Sequence, residues 1–245
     1  TFMMTKFGSV LIQLISVDST NNYIANLIQQ GSCTDGSVIM ADYQTNGRGQ
    51  HGNSWQSVSS ENLMFSIAFQ PSYPLEEQIR LSWYSALMWQ HCLFRFGMKA
   101  QIKWPNDLYV NDLKIGGILI EQQIKGAQLE WAILGSGVNV NHQPDLANTT
   151  SIFEQIGQPF KPITVLLEFL DLMNGQQALL VGDFQALKNK FEAELWRKDQ
   201  MQLFQRKDGV VFEGLIKGVS PSGALCVETS GTLQTYNNKE VSYLF

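Results

Sequence analysis

The first apolar run, 10–17, reads VLIQLISV and predicts a strand, and Asp18, Ser19, Thr20 and Asn21 directly after it suit a helix N-cap. Tyr23, Ile24, Leu27 and Ile28 then recur at helical spacing. Short strands are expected at Val38–Ala41 and Leu63–Phe69, the second with Leu63, Phe65, Ile67 and Phe69 on one face. A helix is predicted over 75–96, anchored by Ile79, Trp83, Leu87 and Phe94 and ended by Gly97, after which 101–103 returns as a strand. The stretch 103–121, KWPNDLYVNDLKIGGILIE, turns at Pro105-Asn106 and again at a hairpin tip, Asn111-Asp112. It closes in the buried-strand pattern of Ile118, Leu119 and Ile120. LEWAIL at 129–134 is a further strand, feeding GSGVNVN at 135–141. A loop at 144–150, an N-cap at Ser151 and helices near 163–180 and 184–198 complete this part. Beyond 200 the texture changes to short β-prone runs separated by Asp208-Gly209, Pro221-Ser222-Gly223 and Ser230-Gly231, which predicts a small closed β-sheet of about five strands. The fold class is α+β.

Composition narrows the function classes without choosing one. The chain has 245 residues, 44% hydrophobic and 16% charged, with a net charge of −5, which opposes a general nucleic-acid-binding surface. No apolar run is long enough to span a bilayer, and no signal-peptide pattern opens the chain. Cys33, Cys92 and Cys226 are odd in number and form no C-x-x-C pair, as expected of reduced thiols in a cytoplasmic protein. His51, His91 and His142 are scattered, so neither a zinc site nor a histidine-based catalytic set is expected.

Three stretches carry candidate chemistry. Lys114 stands beside Gly116-Gly117 at the start of a buried strand, where an ammonium costs several kcal/mol unless an anion meets it. The hairpin alone explains the turn residues; it also aims the lysine. QTNGRGQHGNSW, 44–55, is a loop of exposed amides around Arg48 and is able to wrap an anion, though it is no Walker loop because no Gly-Lys-Ser/Thr follows. In GSGVNVN, small residues permit close approach to the backbone, and Asn139 and Asn141 share one face. Ser19 and Thr20 either cap their helix or offer a polar ligand site, and the sequence leaves both open.

Taken in order, DSTN, GRGQHGNSW, KWPNDLYVNDLKIGGILIE and GSGVNVN resemble the biotin protein ligases, whose pattern carries G-R-G-R-x-G-R-x-W, K-W-P-N-D-x(6)-K-x-G-G-I-L-x-E and G-x-G-x-N-V-N. The resemblance runs from Val10 to about Lys198 and implies a mixed sheet with helices like that of class II aminoacyl-tRNA synthetases. An SH3-like β-barrel would follow, with domains at 1–198 and 199–245. It implies that biotin and MgATP give biotinyl-5′-adenylate, whose anhydride is then attacked by a lysine of the biotin carboxyl carrier protein of acetyl-CoA carboxylase. Catalysis would fall to Lys114 and Arg48. Ser19, Thr20, Asn21, Gln44, Gly49, Gln50, Gly117, Gly135 and Gly137 match positions around biotin, with Arg48 and Lys114 reaching its carboxylate. Trp55, Lys103, Asn106, Asp107 and Asn139, again with Arg48 and Lys114, match the ATP and adenylate end. Asp107 would hold Mg²⁺ directly or through water.

Gln50 and Asn53 depart from the pattern, since both stand where it carries arginine, and a loop so depleted of charge would hold an adenylate less tightly. Some members add an N-terminal DNA-binding domain. Few residues precede the first strand here, so the expectation is ligase activity without operator binding, in a monomer or weak ligand-linked homodimer. A lipoate-protein ligase of the same superfamily and a catalytically silent biotin-binding module are the rival readings. KWPND with the GRG loop favours biotin, and Arg48 together with Lys114 argues against silence.

Overall fold

The computed structural model describes residues 5–55, 58–142 and 146–244, so the start of the loop expected at 144–150 lies outside the described residues. Seven strands form one mixed sheet: β1 (Leu11–Leu14), β2 (Val38–Ala41), β3 (Leu63–Phe69), β4 (Ala100–Lys103), β5 (Asp107–Val110), β6 (Leu113–Lys125) and β7 (Gln128–Val138). Their spatial order is β1-β2-β3-β7-β6-β5-β4. Only the β1–β2 pair is parallel.

The run of β3, apolar except for Ser66, follows from burial on both faces. Leu63, Phe65, Ile67 and Phe69 point into the large core with α2 (Arg80–Arg95) and, later in the chain, α4 (Pro162–Gly175) and α6 (Phe184–Ala193). Ala68 turns the other way, joining Ile39 and Ile133 under Ile24 of α1 (Thr20–Gln29). Side chains alternate across a strand, so this second face places α1 on the opposite side of the sheet from the large core. Two short helices, α3 (Ile152–Ile156) and α5 (Gln177–Val181), complete this part. Ser151 caps α3 as expected, accepting from the Glu154 N–H at 3.2 Å.

The differences from the sequence reading have local causes. β1 spans four residues because its pairing with β2 ends at Leu14, leaving Ile15 85% exposed. The helix expected from 75 starts at Arg80, after a 3₁₀ turn at Leu75–Glu77. Arg80 is buried and donates to the carbonyls of Leu180 and Gly182. β7 absorbs Gly135 to Gly137 because β3 and β6 pair with them from both sides. The predicted 184–198 helix stops at Ala193, since residues 194–196 leave it to pair with β4. The Ile102 N–H donates to the Glu194 carbonyl and the Trp196 N–H to the Ile102 carbonyl, each at 2.8 Å, which covers the outer edge of β4. The hairpin tip is as expected, with Asn111 and Asp112 both in the left-handed region (φ 49° and 62°) as a two-residue turn requires.

The C-terminal part is a five-stranded antiparallel sheet, built from β8 (Met201–Arg206), β9 (Val211–Val219), β10 (Leu225–Thr229), β11 (Thr232–Tyr236) and β12 (Val241–Leu244). The order is β11-β10-β9-β8-β12, and among the described residues no ladder joins β11 to β12, so the expected closure by strand pairing is not seen. The two sheets share one hydrophobic core. The Trp104 indole donates to the Gly223 carbonyl at 2.8 Å and the Trp196 indole to Asp112 at 2.7 Å, while Trp196 packs edge-on against Tyr243. The boundary expected at 198/199 thus falls in a segment that touches both sheets, for Lys198 bridges to Ile216 just after Leu195 bridges to Ile102.

Candidate functional site

The sheet face under α1 carries a cleft of about 280 Å³, and fourteen of the sixteen residues singled out in the sequence line it. Its floor is the β6–β7 ladder, where Gly117 pairs with Gly137 and Leu119 with Gly135. Bare backbone there is a steric requirement. A Cβ on Gly137 would stand 2.4 Å from the Trp55 ring, and one on Gly135 would stand 2.2 Å from the Asn21 carbonyl oxygen. Gly135→Ala is therefore expected to displace Asn21 and to cost about 1–3 kcal/mol of stability by overpacking. Urea unfolding measures it, and an unchanged midpoint would show that Asn21 yields without resistance.

Beside Gly135 the lining is neutral and rich in hydrogen-bonding groups. Ser19, Thr20 and Asn21 are 2–3% exposed at the start of α1. The Thr20 N–H donates to Gln44 Oε1 at 2.8 Å, so a distant loop supplies the helix cap while the Ser19 side chain makes no cap bond. The Ser66 hydroxyl, from β3, lies 2.7 Å from the Thr20 hydroxyl and within reach of the Asn21 carbonyl oxygen. Asn21 Nδ2 donates to Glu121 Oε2 at 2.7 Å, and the same oxygen pairs with the Arg48 guanidinium at 2.5 Å. One carboxylate oxygen thus fixes both a neutral amide and a cation.

Two residues along the strand, beside Gly117, the lining becomes charged. Lys114 Nζ pairs with Asp107 Oδ1 at 2.7 Å, with the side chains 32% and 23% exposed. Paired at this exposure, the lysine does not carry the full cost of a buried ammonium; a half-solvated ion pair contributes about 0–1 kcal/mol. Its ammonium also stands 5.9 Å from the centroid of the Trp55 ring. The glycine-rich segment above is a small hairpin rather than an open loop. Arg48 bridges to Ser54, the Trp55 N–H donates to the Gly47 carbonyl at 2.9 Å, and a 3₁₀ turn spans Gln50–Gly52. Arg48 Nε and Trp55 Nε1 are buried donors without a hydrogen-bond acceptor among the described residues, as in a site built for one.

Two expected residues lie outside the cleft. Lys103 donates to the Tyr109 hydroxyl at 2.9 Å and sits among the rings of Tyr109, Trp196 and Tyr243, with its nitrogen 4.7–5.6 Å from their centroids. Burial pulls its pKa below the usual lysine range. Strand alternation explains the placement, since Lys103 leaves β4 toward the C-terminal sheet. Asn139 is 1% exposed, and its amide donates to the Thr150 carbonyl at 3.0 Å, which ties the 148–152 segment to β7. Asn106 lines the cleft, but its amide is spent on the Ile118 carbonyl.

The sequence reading missed Ser66, Glu121, Asn238 and Lys239. The last two come from the turn between β11 and β12, and both line the cleft. Glu121 closes the KWPND stretch and offered a signal; Ser66 offered a weaker one, as the lone polar residue inside LMFSIAF. No metal-binding group of three or more His, Cys, Asp or Glu occurs among the described residues. Asp107 is the one carboxylate lining the cleft among the described residues. A Mg²⁺ ion keeps several waters and takes one or two carboxylates together with substrate phosphates, so this donor suits it only with a nucleotide present. No helix of the described residues is long and apolar enough to cross a membrane.

Comparison with known proteins agrees with this geometry. The model of the biotin/lipoate A/B protein ligase family matches residues 13–139. Over 96% of its length the chain is 29% identical to the bifunctional ligase/repressor BirA of Escherichia coli, covering 74% of that protein. Over 94% it is 27% identical to the biotin--[acetyl-CoA-carboxylase] ligase of Paracoccus denitrificans, covering 99% of it. Among solved structures, the biotin protein ligase of Aquifex aeolicus in complex with biotin and ATP superposes with a TM-score of 0.79 at 25% identity, over 96% of this chain and 99% of that one. The mixed sheet followed by a small antiparallel one is thus the fold class the motifs implied. Matched over half its length, from before Ser19 through Asn139, the chain belongs to the biotin/lipoate A/B protein ligase family.

Proposed function

We propose that this chain joins biotin to a lysine of the biotin carboxyl carrier protein of acetyl-CoA carboxylase, through biotinyl-5′-adenylate made from biotin and ATP. The observation that carries the reading is one cleft in which a neutral, buried hydrogen-bonding wall runs into two cations. Ser19, Thr20, Asn21 and Gln44 offer donors and acceptors suited to a ureido ring, while Arg48 and Lys114 suit a carboxylate and a phosphate.

The chemistry begins with two anions that repel. A carboxylate oxygen attacks the α-phosphorus, the bond from that phosphorus to the bridging oxygen breaks, and pyrophosphate leaves with the electron pair. Lys114 beside Gly117 offsets the charge that builds on the non-bridging oxygens. Arg48 must exchange Glu121 for the incoming anion, which keeps the guanidinium oriented before substrate arrives. Mg²⁺, when bound with the nucleotide, would supply charge neutralisation of the phosphates, and Asp107 is the residue to hold it. In the second half-reaction a neutral lysine amine of the carrier attacks the acyl carbon, AMP departs, and the amine's extra proton passes to solvent.

Biotin-dependent exchange of pyrophosphate into ATP tests the first half-reaction directly. Exchange is expected with biotin and not with lipoate. Exchange with lipoate alone would move the chain to the other branch of its family, and none with either would leave a binding module. The Asn21–Glu121 contact favours the more polar, ureido-bearing head group of biotin over an apolar dithiolane ring, because the buried Asn21 amide needs polar partners.

A further inference from the structure

Each hydroxyl at the head of α1 has one proton to give, and the buried groups around it fix where that proton goes. The Glu121 carboxylate faces both Asn21 and the Arg48 guanidinium, so its oxygen only accepts, and the Asn21 amide must turn its nitrogen toward it. The Asn21 oxygen then faces the Ser66 hydroxyl, which must donate. With its proton committed there, Ser66 can only accept from Thr20. The Thr20 proton therefore goes to Ser66, 2.7 Å away, and not to Gln44 Oε1 at 3.1 Å. Gln44 Oε1 keeps the Thr20 N–H at 2.8 Å. One directed chain of hydrogen bonds runs from Thr20 through Ser66 and Asn21 to the carboxylate oxygen that also holds Arg48.

We propose that Ser66 is a positioning residue for the head group of the substrate: it touches no ligand, yet its hydroxyl decides which atoms of Thr20 and Asn21 donate and which accept. The inference rests on the biotin reading above and names the group that enforces it. Ser66 is fully buried on β3, behind the cleft, whereas Thr20 and Asn21 line it. With the chain ordered in this direction, Thr20 meets a ligand with oxygen lone pairs and Asn21 with its second N–H. An acceptor beside a donor is the complement of a urea, which presents N–H beside C=O. The register of the sheet makes Ser66 the residue for this task. It pairs with Gly135, where a Cβ would stand 2.2 Å from the Asn21 oxygen, so bare backbone on β7 leaves the amide room to settle on the hydroxyl. All the other residues of β3 are apolar, and a hydroxyl buried among them is tolerated when its hydrogen bonds are made, as both are here.

Ser66→Ala removes the hydroxyl, and Ser66→Cys keeps the volume with a much weaker donor. Each is made alone and in an Asn21→Ala background, and calorimetry gives the Kd of biotin and, separately, of MgATP, with urea unfolding run on every protein. Both single variants are expected to weaken biotin about fivefold, the share of one neutral hydrogen bond, and to leave MgATP affinity within about twofold of the parent. In the Asn21→Ala background the Ser66 changes should have no further effect, because a residue that acts through Asn21 has nothing left to position. Losses that multiply in the double variants would overturn the proposal. A Ser66→Cys protein that binds biotin like the parent would do the same, since the site then needs the volume and not the proton. Lower stability with unchanged biotin affinity would reduce Ser66 to a packing residue and also ends the proposal. If the parent binds no biotin, the ligase reading fails instead, and NMR still decides on Ser66. The Asn21 side-chain amide signal, identified by its loss in Asn21→Ala, must move in both Ser66 variants, and an unmoved signal shows that the hydroxyl does not hold the amide.

Discussion

Replacing Lys114 with alanine lowers the maximal rate of biotin adenylation about 10²- to 10³-fold, the loss expected when one preorganised donor to a developing oxyanion is removed. Pre-steady-state formation of biotinyl-adenylate measures it. The fold should tolerate the change, because the Lys114–Asp107 pair is about a third exposed on the lysine side and contributes about 1 kcal/mol or less to stability. The KM for biotin should change far less than the rate, since the neutral wall beside Gly135 does not include Lys114. A variant that adenylates biotin within about threefold of the parent would show that the lysine does not meet the transition state.

Glu121→Ala has the second largest expected effect. It removes the single acceptor oxygen that orients both Asn21 and Arg48. A hydrogen bond to a charged group contributes about 1.5–3 kcal/mol, so kcat/KM for biotin should fall about 10- to 100-fold. Glu121→Gln keeps an acceptor for both partners and should recover most of that loss. The pair of variants separates orientation from charge. If the glutamine variant is as impaired as the alanine variant, the negative charge itself is needed, and the account of Glu121 as a shared acceptor is wrong.

Much of this was readable in the chain because it is local. The Asn111-Asp112 tip, the bounds of β2 and β3 and the cap at Ser151 depend on residues within a few positions of one another. The motif residues also proved to be cleft residues, for a glycine under a tryptophan and a lysine beside an aspartate are packing facts as well as motifs. What stayed hidden depends on distance. Ser66 lines no motif, yet β3 lies next to β7 and brings it under Asn21. Lys103 stands in the motif and still leaves the cleft, because the rings that surround it include Trp196 and Tyr243 from the far end of the chain. Asn238 and Lys239 belong to a turn whose own sequence says nothing about a site 188 residues earlier. No periodicity reports such a contact.

The covering of β4 has a consequence for synthesis on the ribosome. Among the described residues the sheet's outer edge is closed by 194–196, and the Trp104 indole finds its acceptor at Gly223, 119 residues further on. At translation rates of 5–20 residues per second, the nascent chain carries an open strand edge and an unpartnered tryptophan for on the order of ten seconds. Open edges invite pairing with other chains, and this one bears no proline or charge at its centre, only Gln101 and Ile102. The growing polypeptide is most vulnerable to misassociation in the interval between making its cleft and making the segment that seals the sheet behind it.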